Sequence, residues 1–222
     1  YLNGLVEERK KNPGDDLLSY LNRAELDGQP LGRKHRIGTG FLVLLAGAHS
    51  ERFGSDKLIQ IYLGRPLGLH VVVALEAVPF RERIAVVSRT TLDLAGCGHR
   101  VVHSDDPAAG MGRPLRRGVE AACAGGAEAV LIALADMPRV TATHIYRLLD
   151  RAEGPDAIVA SSDGVIPRPP VLFGCAHFDQ LLLSDGDMGA RDLVKRGHHV
   201  VTSPPELVDV DTPGDLAKLI HG

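Results

Sequence analysis

From about residue 40 onward, short aliphatic runs alternate with amphipathic stretches. Aliphatic runs predict buried strands, and apolar residues three and four positions apart predict helices. The predicted strands span residues 41–45, 84–88, 100–103, 129–134, 157–160 and 207–210. The predicted helices span residues 66–78, 113–123, 141–152, 189–196 and 213–220. This alternation is typical of an α/β fold, here a three-layer, doubly wound, mostly parallel and Rossmann-like sheet with helices on both faces.

The start of the chain has a different pattern. Residues 7–11 are almost all charged, and apolar positions at helical spacing follow from Leu17 to Leu21. A turn-rich break and a basic connector then precede the first aliphatic run. We interpret residues 1–38 as a helical appendage with a linker, and residues 39–222 as the domain that carries the sheet.

Composition argues against several classes of function. The 222 residues are 44% hydrophobic and 24% charged, as in an ordinary globular protein, and no apolar run approaches the roughly 18 residues of a membrane span. A net charge of -3 and 4% aromatic residues disfavour nucleic-acid binding. The three cysteines lie far apart and give neither a disulfide framework nor a zinc cluster, which fits the cytoplasm.

Small residues and cations follow the first predicted strand, where doubly wound sheets bind their ligands. Residues 46–48 are Ala, Gly and Ala, so backbone N–H groups can approach a phosphate, and Arg52 and Lys57 can neutralise its charge. The segment is neither a Walker loop nor a dinucleotide fingerprint. Its spacing alone leaves two interpretations open, a triphosphate cradle and a polar loop with two surface cations.

Four ordered motifs carry a resemblance to a known group of enzymes. Residues 45–57 resemble the signature L-A-[AG]-G-x-S-x-R-x-G-x-x-K of sugar-nucleotide-like and molybdenum-cofactor nucleotidyltransferases. Three later segments resemble further motifs of the same group: L-A-D-M-P at residues 134–138, G-D-M-G-A-R at 186–191 and D-V-D-T-P at 209–213. The D-M-P turn makes the molybdenum cofactor cytidylyltransferases the most similar subgroup, since related guanylyltransferases more often carry C-D-x-P.

The resemblance implies a Mg²⁺-dependent transfer of CMP from CTP to the terminal phosphate of the molybdenum-pterin cofactor, with release of pyrophosphate. A molybdoenzyme or its maturation factor is the protein partner that this implies. The implied catalytic residues are Lys57, Arg52 and Asp136, and the implied metal ligands are Asp136, Asp209 and Asp211. The implied nucleotide-binding residues are Leu45, Ala46, Gly47, Ala48, Arg52, Lys57, Ser88, Gly110 and Gly112, and Arg191 and Gly189 are implied to bind the acceptor.

Two other functions stay open. One is guanylyl transfer from GTP to the same cofactor. The other is a non-catalytic carrier of the cofactor, because Ala48 stands where the family has a glycine and its methyl group can crowd a phosphate. Pro114, where relatives usually have serine, also removes a backbone N–H.

Individual acidic and basic residues also have structural interpretations. Asp136 can cap a helix that begins near Thr141, and Asp211 can cap the last predicted helix. Arg191 can form a surface ion pair with Asp187. As metal ligands, Asp209 and Asp211 are expected on one face of a strand, because they are two residues apart.

Residues 1–32 resemble a different family, the bacterial haem-thiolate cytochrome monooxygenases, in their middle helices. Residues 41–51 are similar to the oxygen-side helix of that family, which ends in A-G-H-E-T. Haem-thiolate chemistry needs a cysteine in an F-x-x-G-x-x-x-C loop, and none of the cysteines lies in one. We therefore expect a fused fragment without monooxygenase activity.

Overall fold

The computed structural model of the chain describes residues 25–26, 29–30, 40–47, 53–104, 112–183 and 187–221. The chain divides into two units, residues 1–36 and 37–222. In the first unit, strands β1 (Glu25–Leu26) and β2 (Gln29–Pro30) form an antiparallel pair. The helices predicted there lie outside the described residues, and the boundary after residue 38 stays a prediction.

A seven-stranded sheet forms the centre of the second unit, in the order β11-β9-β10-β8-β3-β6-β7. Its strands are β3 (Gly40–Gly47), β6 (Glu82–Ser88), β7 (Arg100–His103), β8 (Ala129–Leu134), β9 (Ile158–Ser162), β10 (Pro167–Gly174) and β11 (His198–Val201). β10 runs antiparallel to both of its neighbours, and the other pairs are parallel. A separate hairpin consists of β4 (Ile61–Tyr62) and β5 (Arg65–Pro66).

Helices cover both faces of this sheet. They are α1 (Gly68–Leu75), α2 (Gly112–Ala124), α3 (Ala142–Arg151), α4 (Phe178–Leu183), α5 (Asp187–Arg196) and α6 (Pro213–His221). Alternate residues of β3 enter two separate apolar clusters, Leu42 and Leu44 with α1 and α3, and Val43 with α2, α4 and α5. The alternation follows from the strand pleat, and it confirms the three-layer fold. No helix of the described residues has the length and apolar character to cross a membrane.

The aliphatic runs predicted the central strands, and β8 has the predicted bounds. The predicted strand at residues 207–210 is wrong, since Pro204–Leu207 forms a 3₁₀ helix and Val208 to Val210 belong to no strand. Two adjacent prolines at the start of this segment cannot donate to a strand ladder. The sequence reasoning missed β10, whose three prolines disfavour a strand, and also β11 and α4.

The parallel strands β3, β6 and β8 end at one edge of the sheet. The chain first builds outward from β3 through β6 and β7, and then returns to place β8 on the other side of β3. This reversal is the topological switch point at which doubly wound sheets bind ligands. The segment after β8 is fastened there, because the Ala135 N–H donates to the Leu45 carbonyl at 3.0 Å.

Candidate active site

Lys57 begins a short 3₁₀ helix, Lys57–Ile59, near the switch point. The preceding Asp56 caps this helix by accepting a hydrogen bond from the Leu58 N–H at 3.0 Å. The other oxygen of Asp56 accepts from the Thr90 hydroxyl at 2.9 Å and from the Thr91 N–H at 3.0 Å. One carboxylate therefore fastens the Lys57 segment to the loop that follows β6.

The Lys57 ammonium lies between two carboxylates that are distant in sequence. Its Nζ donates to Asp136 Oδ2 at 2.7 Å and to Asp211 Oδ1 at 3.1 Å. The lysine side chain is only 4% exposed, against 17% for Asp136 and 44% for Asp211. We call these three residues the lysine–carboxylate cluster. Lys57 is thus buried and paired, instead of extending as a surface cation.

The excess of carboxylates governs the electrostatics of this cluster. Burial alone lowers the pKa of the Lys57 ammonium, but Asp136 and Asp211 outweigh it and hold that pKa above its usual value. Burial raises the pKa of the Asp136 carboxyl, and the charges of Asp209 and Asp211 add to this rise against the opposing effect of Lys57. Among the described residues, two carboxylates bond this one ammonium and a third, Asp209, acts on Asp136, so the cluster is suited to a further cation.

A divalent cation fits one feature of the cluster in particular. The Oδ1 atom of Asp136 is buried and has no hydrogen-bond partner among the described residues. The donor set is all carboxylate oxygen, the chemistry that Mg²⁺ prefers. No group of three or more His, Cys, Asp or Glu side chains within the described residues forms a ready-made metal site. Mg²⁺ commonly uses one or two carboxylates together with substrate phosphates, so the residues present fit this metal.

The structure tests whether Asp136 and Asp211 cap helices. Thr141, not Asp136, caps α3, because the Thr141 hydroxyl accepts from the His144 N–H at 3.1 Å. Thr212, not Asp211, caps α6, since its hydroxyl accepts from the Asp215 N–H at 3.1 Å. Asp136 and Asp211 are therefore free of the capping roles that the sequence left open.

Asp209 and Asp211 approach Asp136 without the strand that the sequence predicted. The Val210 N–H between them donates to the Asp136 carbonyl at 3.0 Å, and the Val210 side chain is buried. Asp211 contacts Lys57, whereas Asp209 is exposed and lines a neighbouring cavity. The expectation that both carboxylates lie on one face of a strand is wrong, because this segment forms no strand. The charges of both carboxylates nevertheless raise the pKa of Asp136.

A cavity of about 420 Å³ adjoins the cluster over one face of the sheet. We call it the acceptor cavity. Apolar side chains of β3, α2, β8 and β10, including Leu45, Leu115 and Phe173, form most of its wall. Among the described residues, its charged side chains are Asp209 and three cations, Arg168, Arg191 and Lys195. A mostly apolar wall with a few cations is suited to an anionic ligand that carries a ring system.

The described nucleotide-binding candidates gather at the end of β3. Leu45 and Ala46 are buried in this strand, and Gly47 is exposed at its end. Gly47 pairs with Ser88, and a Cβ at Gly47 would lie 3.9 Å from the Ser88 hydroxyl oxygen. Gly112 begins α2. The remaining predicted residues of this group, Ala48, Arg52 and Gly110, lie outside the described residues.

The acceptor-binding candidates lie on α5. Arg191 is exposed and lines the acceptor cavity, and Gly189 is in the first turn of the helix. The ion pair between Arg191 and Asp187 stays untested, because the Asp187 side chain lies outside the described residues. Pro114 lies in the first turn of α2, where a proline is well tolerated.

Sequence reasoning missed two cations of the acceptor cavity, Arg168 and Lys195. Lys195 follows Arg191 by one helical turn, a spacing that the sequence displays. Arg168 lies between prolines in the strand that the sequence did not predict. No local pattern marked it as a functional residue.

Comparisons with known proteins found a matching family and similar relatives. Residues 42–200 match the family model of the MobA-like NTP transferase domain. The purine catabolism protein PucB of Bacillus subtilis is 30% identical over 190 residues, which cover 77% of this chain and 91% of that protein. The molybdenum cofactor guanylyltransferase of Xanthomonas euvesicatoria is 30% identical over 188 residues, which cover 81% of this chain and 93% of that protein.

A solved structure shows the same fold. A nucleotidyl transferase from Methanothermobacter thermautotroptrophicus has a TM-score of 0.70 and 23% identity, covering 82% of this chain and 96% of that one.

Proposed function

Because the chain belongs to the MobA-like NTP transferase family and is a nucleotidyltransferase, we propose that it transfers CMP from CTP to the terminal phosphate of the molybdenum-pterin cofactor. The observation that carries this proposal is the lysine–carboxylate cluster at the switch point, beside a cavity with cationic residues. In this proposal one half of the site takes the triphosphate and the other half takes the anionic acceptor. A molybdoenzyme or its maturation factor is the protein partner we propose.

The reaction needs no general base. The acceptor phosphate is already an anionic nucleophile, its oxygen forms the bond to the α-phosphorus of CTP, and the bond to pyrophosphate breaks. Catalysis then depends on alignment and on charge neutralisation. In this proposal Arg191 and Gly189 hold the acceptor phosphate at the start of α5.

The nucleotide occupies the other half of the site in this proposal. Gly47 and Ser88 lie at the strand ends where it binds, with Ala48, Arg52 and Gly110 as further contacts outside the described residues. Lys57 holds Asp136 and Asp211 side by side, and its raised pKa keeps it protonated at neutral pH. Asp136, Asp209 and Asp211 would hold Mg²⁺, which supplies neutralising charge for the triphosphate and the leaving pyrophosphate.

Guanylyl transfer from GTP is the second candidate. The observation in its favour is the 30% identity to the molybdenum cofactor guanylyltransferase of Xanthomonas. The D-M-P sequence at residues 136–138 favours CTP instead. Both candidates use the same acceptor, so the base is the one difference between them.

Pyrophosphate release separates these functions. We expect release with CTP and the molybdenum-pterin cofactor together, and only background with ATP, GTP or UTP. Release with GTP alone among the four nucleotides identifies the guanylyltransferase. Cofactor binding without release from any nucleotide identifies a carrier and contradicts the proposal. The variant Lys57→Ala should lower the rate by roughly 100-fold or more, as loss of one preorganised charge commonly does.

A further inference from the structure

Arg168 occupies an unusual place in the wall of the acceptor cavity. It precedes Pro169 and Pro170, and the pairing of β10 with β9 shifts register between Arg168 and Val171. A hydrogen bond stabilises the backbone at this register shift: the fully buried Ser161 donates its hydroxyl hydrogen to the Pro170 carbonyl at 2.7 Å. The arginine is thus attached to a fixed section of backbone.

The guanidinium of Arg168 is only partly satisfied. Its Nη2 donates to Asp163 Oδ2 at 3.0 Å, and the arginine side chain is 34% exposed. Its Nε is buried and has no hydrogen-bond partner among the described residues. The exposed part of the side chain lines the acceptor cavity, so the guanidinium can donate to a ligand oxygen there.

The charges around the cavity indicate what that oxygen belongs to. Among the described residues that line the cavity, Arg168, Arg191 and Lys195 are cationic and Asp209 is the one carboxylate. A phosphate monoester carries two negative charges and several acceptor oxygens, and it matches the fork of a guanidinium better than a neutral ligand does.

We propose that Arg168 is a specificity-determining residue whose guanidinium donates to an anionic oxygen of the acceptor phosphate. The inference rests on the proposed function, because it takes the cavity as the acceptor site. Asp163 then competes with that oxygen for the guanidinium through Oδ2, while its Oδ1 accepts from the Val165 and Ile166 N–H groups of the same turn.

The direct test measures binding of phenyl phosphate to the full chain by isothermal titration calorimetry, with phenol as the uncharged control ligand. We expect wild-type protein to bind phenyl phosphate and not phenol. Arg168→Gln should weaken phenyl phosphate binding roughly 10- to 100-fold, the usual effect of losing a hydrogen bond to a charged group. If this variant does not fold, Arg168→Lys serves instead, since lysine keeps the charge but lacks the planar fork of N–H donors.

Two variants separate direct contact from a structural role. Asp163→Asn keeps the Oδ1 acceptor of the turn but removes the charge that competes for Arg168, so phenyl phosphate should bind as tightly as in wild type or more tightly. Lys195→Gln removes an equal charge from the cavity and should cost less affinity than Arg168→Gln. Unchanged affinity in Arg168→Gln, or equal weakening in Arg168→Gln and Asp163→Asn, would overturn the proposal.

Turnover distinguishes a failure of this inference from a failure of the proposed function. Arg168→Lys should raise the KM for the molybdenum-pterin cofactor and leave the KM for CTP unchanged. If no nucleotide supports turnover but phenyl phosphate binding still depends on Arg168, the site stands and the proposed reaction fails. If transfer proceeds and the cofactor KM is unaffected by Arg168→Lys, the reaction stands and the inference fails.

Discussion

Replacing Lys57 by Met tests whether the lysine–carboxylate cluster is a true buried ion pair. The substitution keeps an unbranched side chain and removes the ammonium that bonds Asp136 at 2.7 Å. Lys57 is 4% exposed and Asp136 is 17% exposed, so the remaining carboxylate is poorly hydrated. Breaking such a pair commonly costs about 3–5 kcal/mol, and we expect the lower end of this range at pH 8. Asp211 is 44% exposed and should add little.

The loss should depend on pH in a defined direction. Burial already raises the pKa of Asp136, and removing Lys57 raises it further. In the unfolded chain this carboxyl titrates near its ordinary pKa of about 3.9. Between the two values the folded state binds a proton that the unfolded state has released. The destabilisation is therefore complete above the folded pKa and shrinks as the pH falls through it, so it should be smaller at pH 5 than at pH 8.

Urea unfolding followed by far-ultraviolet circular dichroism measures this effect, because the chain has no tryptophan for fluorescence. Lys195→Met is the matched control. Lys195 is 69% exposed and pairs with Asp192 at 3.5 Å, so its loss should change the unfolding free energy by less than about 1 kcal/mol. The reasoning is refuted if Lys57→Met costs no more than the control at pH 8, or if its cost is the same at pH 5.

Three further predictions concern the metal, the packing and the start of the chain. Asp136→Asn should keep the fold and abolish Mg²⁺-dependent pyrophosphate release; a wild-type Mg²⁺ titration would remove Asp136 from the metal site. Gly118→Ala should lower the unfolding free energy in urea by about 1–3 kcal/mol, because the new Cβ would overlap Val43 beneath α2, and an unchanged midpoint would contradict this packing. Deleting residues 1–36 should leave the melting temperature and activity nearly unchanged, since the motifs begin after them; an insoluble or inactive product would make that segment part of the fold.

The parts of the fold that could be predicted are those where one local signal dominates. β3 and β8 are uninterrupted apolar runs, as expected for strands buried on both faces. β10 could not be predicted in this way, because its prolines contradict a strand while its Val171, Leu172 and Phe173 are buried like any core strand. Tertiary packing there overrides local propensity.

The site was predictable in its members but not in their arrangement. Motif resemblance selected Lys57, Asp136 and Asp211, and the structure brings these three together across 79 and 154 positions of sequence. Spacing could not indicate that Lys57 pairs with the carboxylates, because that depends on how the switch point folds. Arg168 carries no sequence signal, since its role depends on a register shift in an unpredicted strand.

The reversed direction of β10 divides the two halves of the site between different kinds of structure. Since β10 runs against β8 and β9, its first residues, not its last, lie at the edge where Asp136 follows β8. In the proposed function, the nucleotide half depends on the parallel strands β3 and β6 of the core, whereas the acceptor half adjoins the tip of a hairpin at residues 163–166. If the cavity binds the acceptor as proposed, substitutions in that tip would change the cavity wall at Ile166 and leave β3 as it is, so one nucleotidyl-transfer scaffold could acquire new acceptors by varying a single turn.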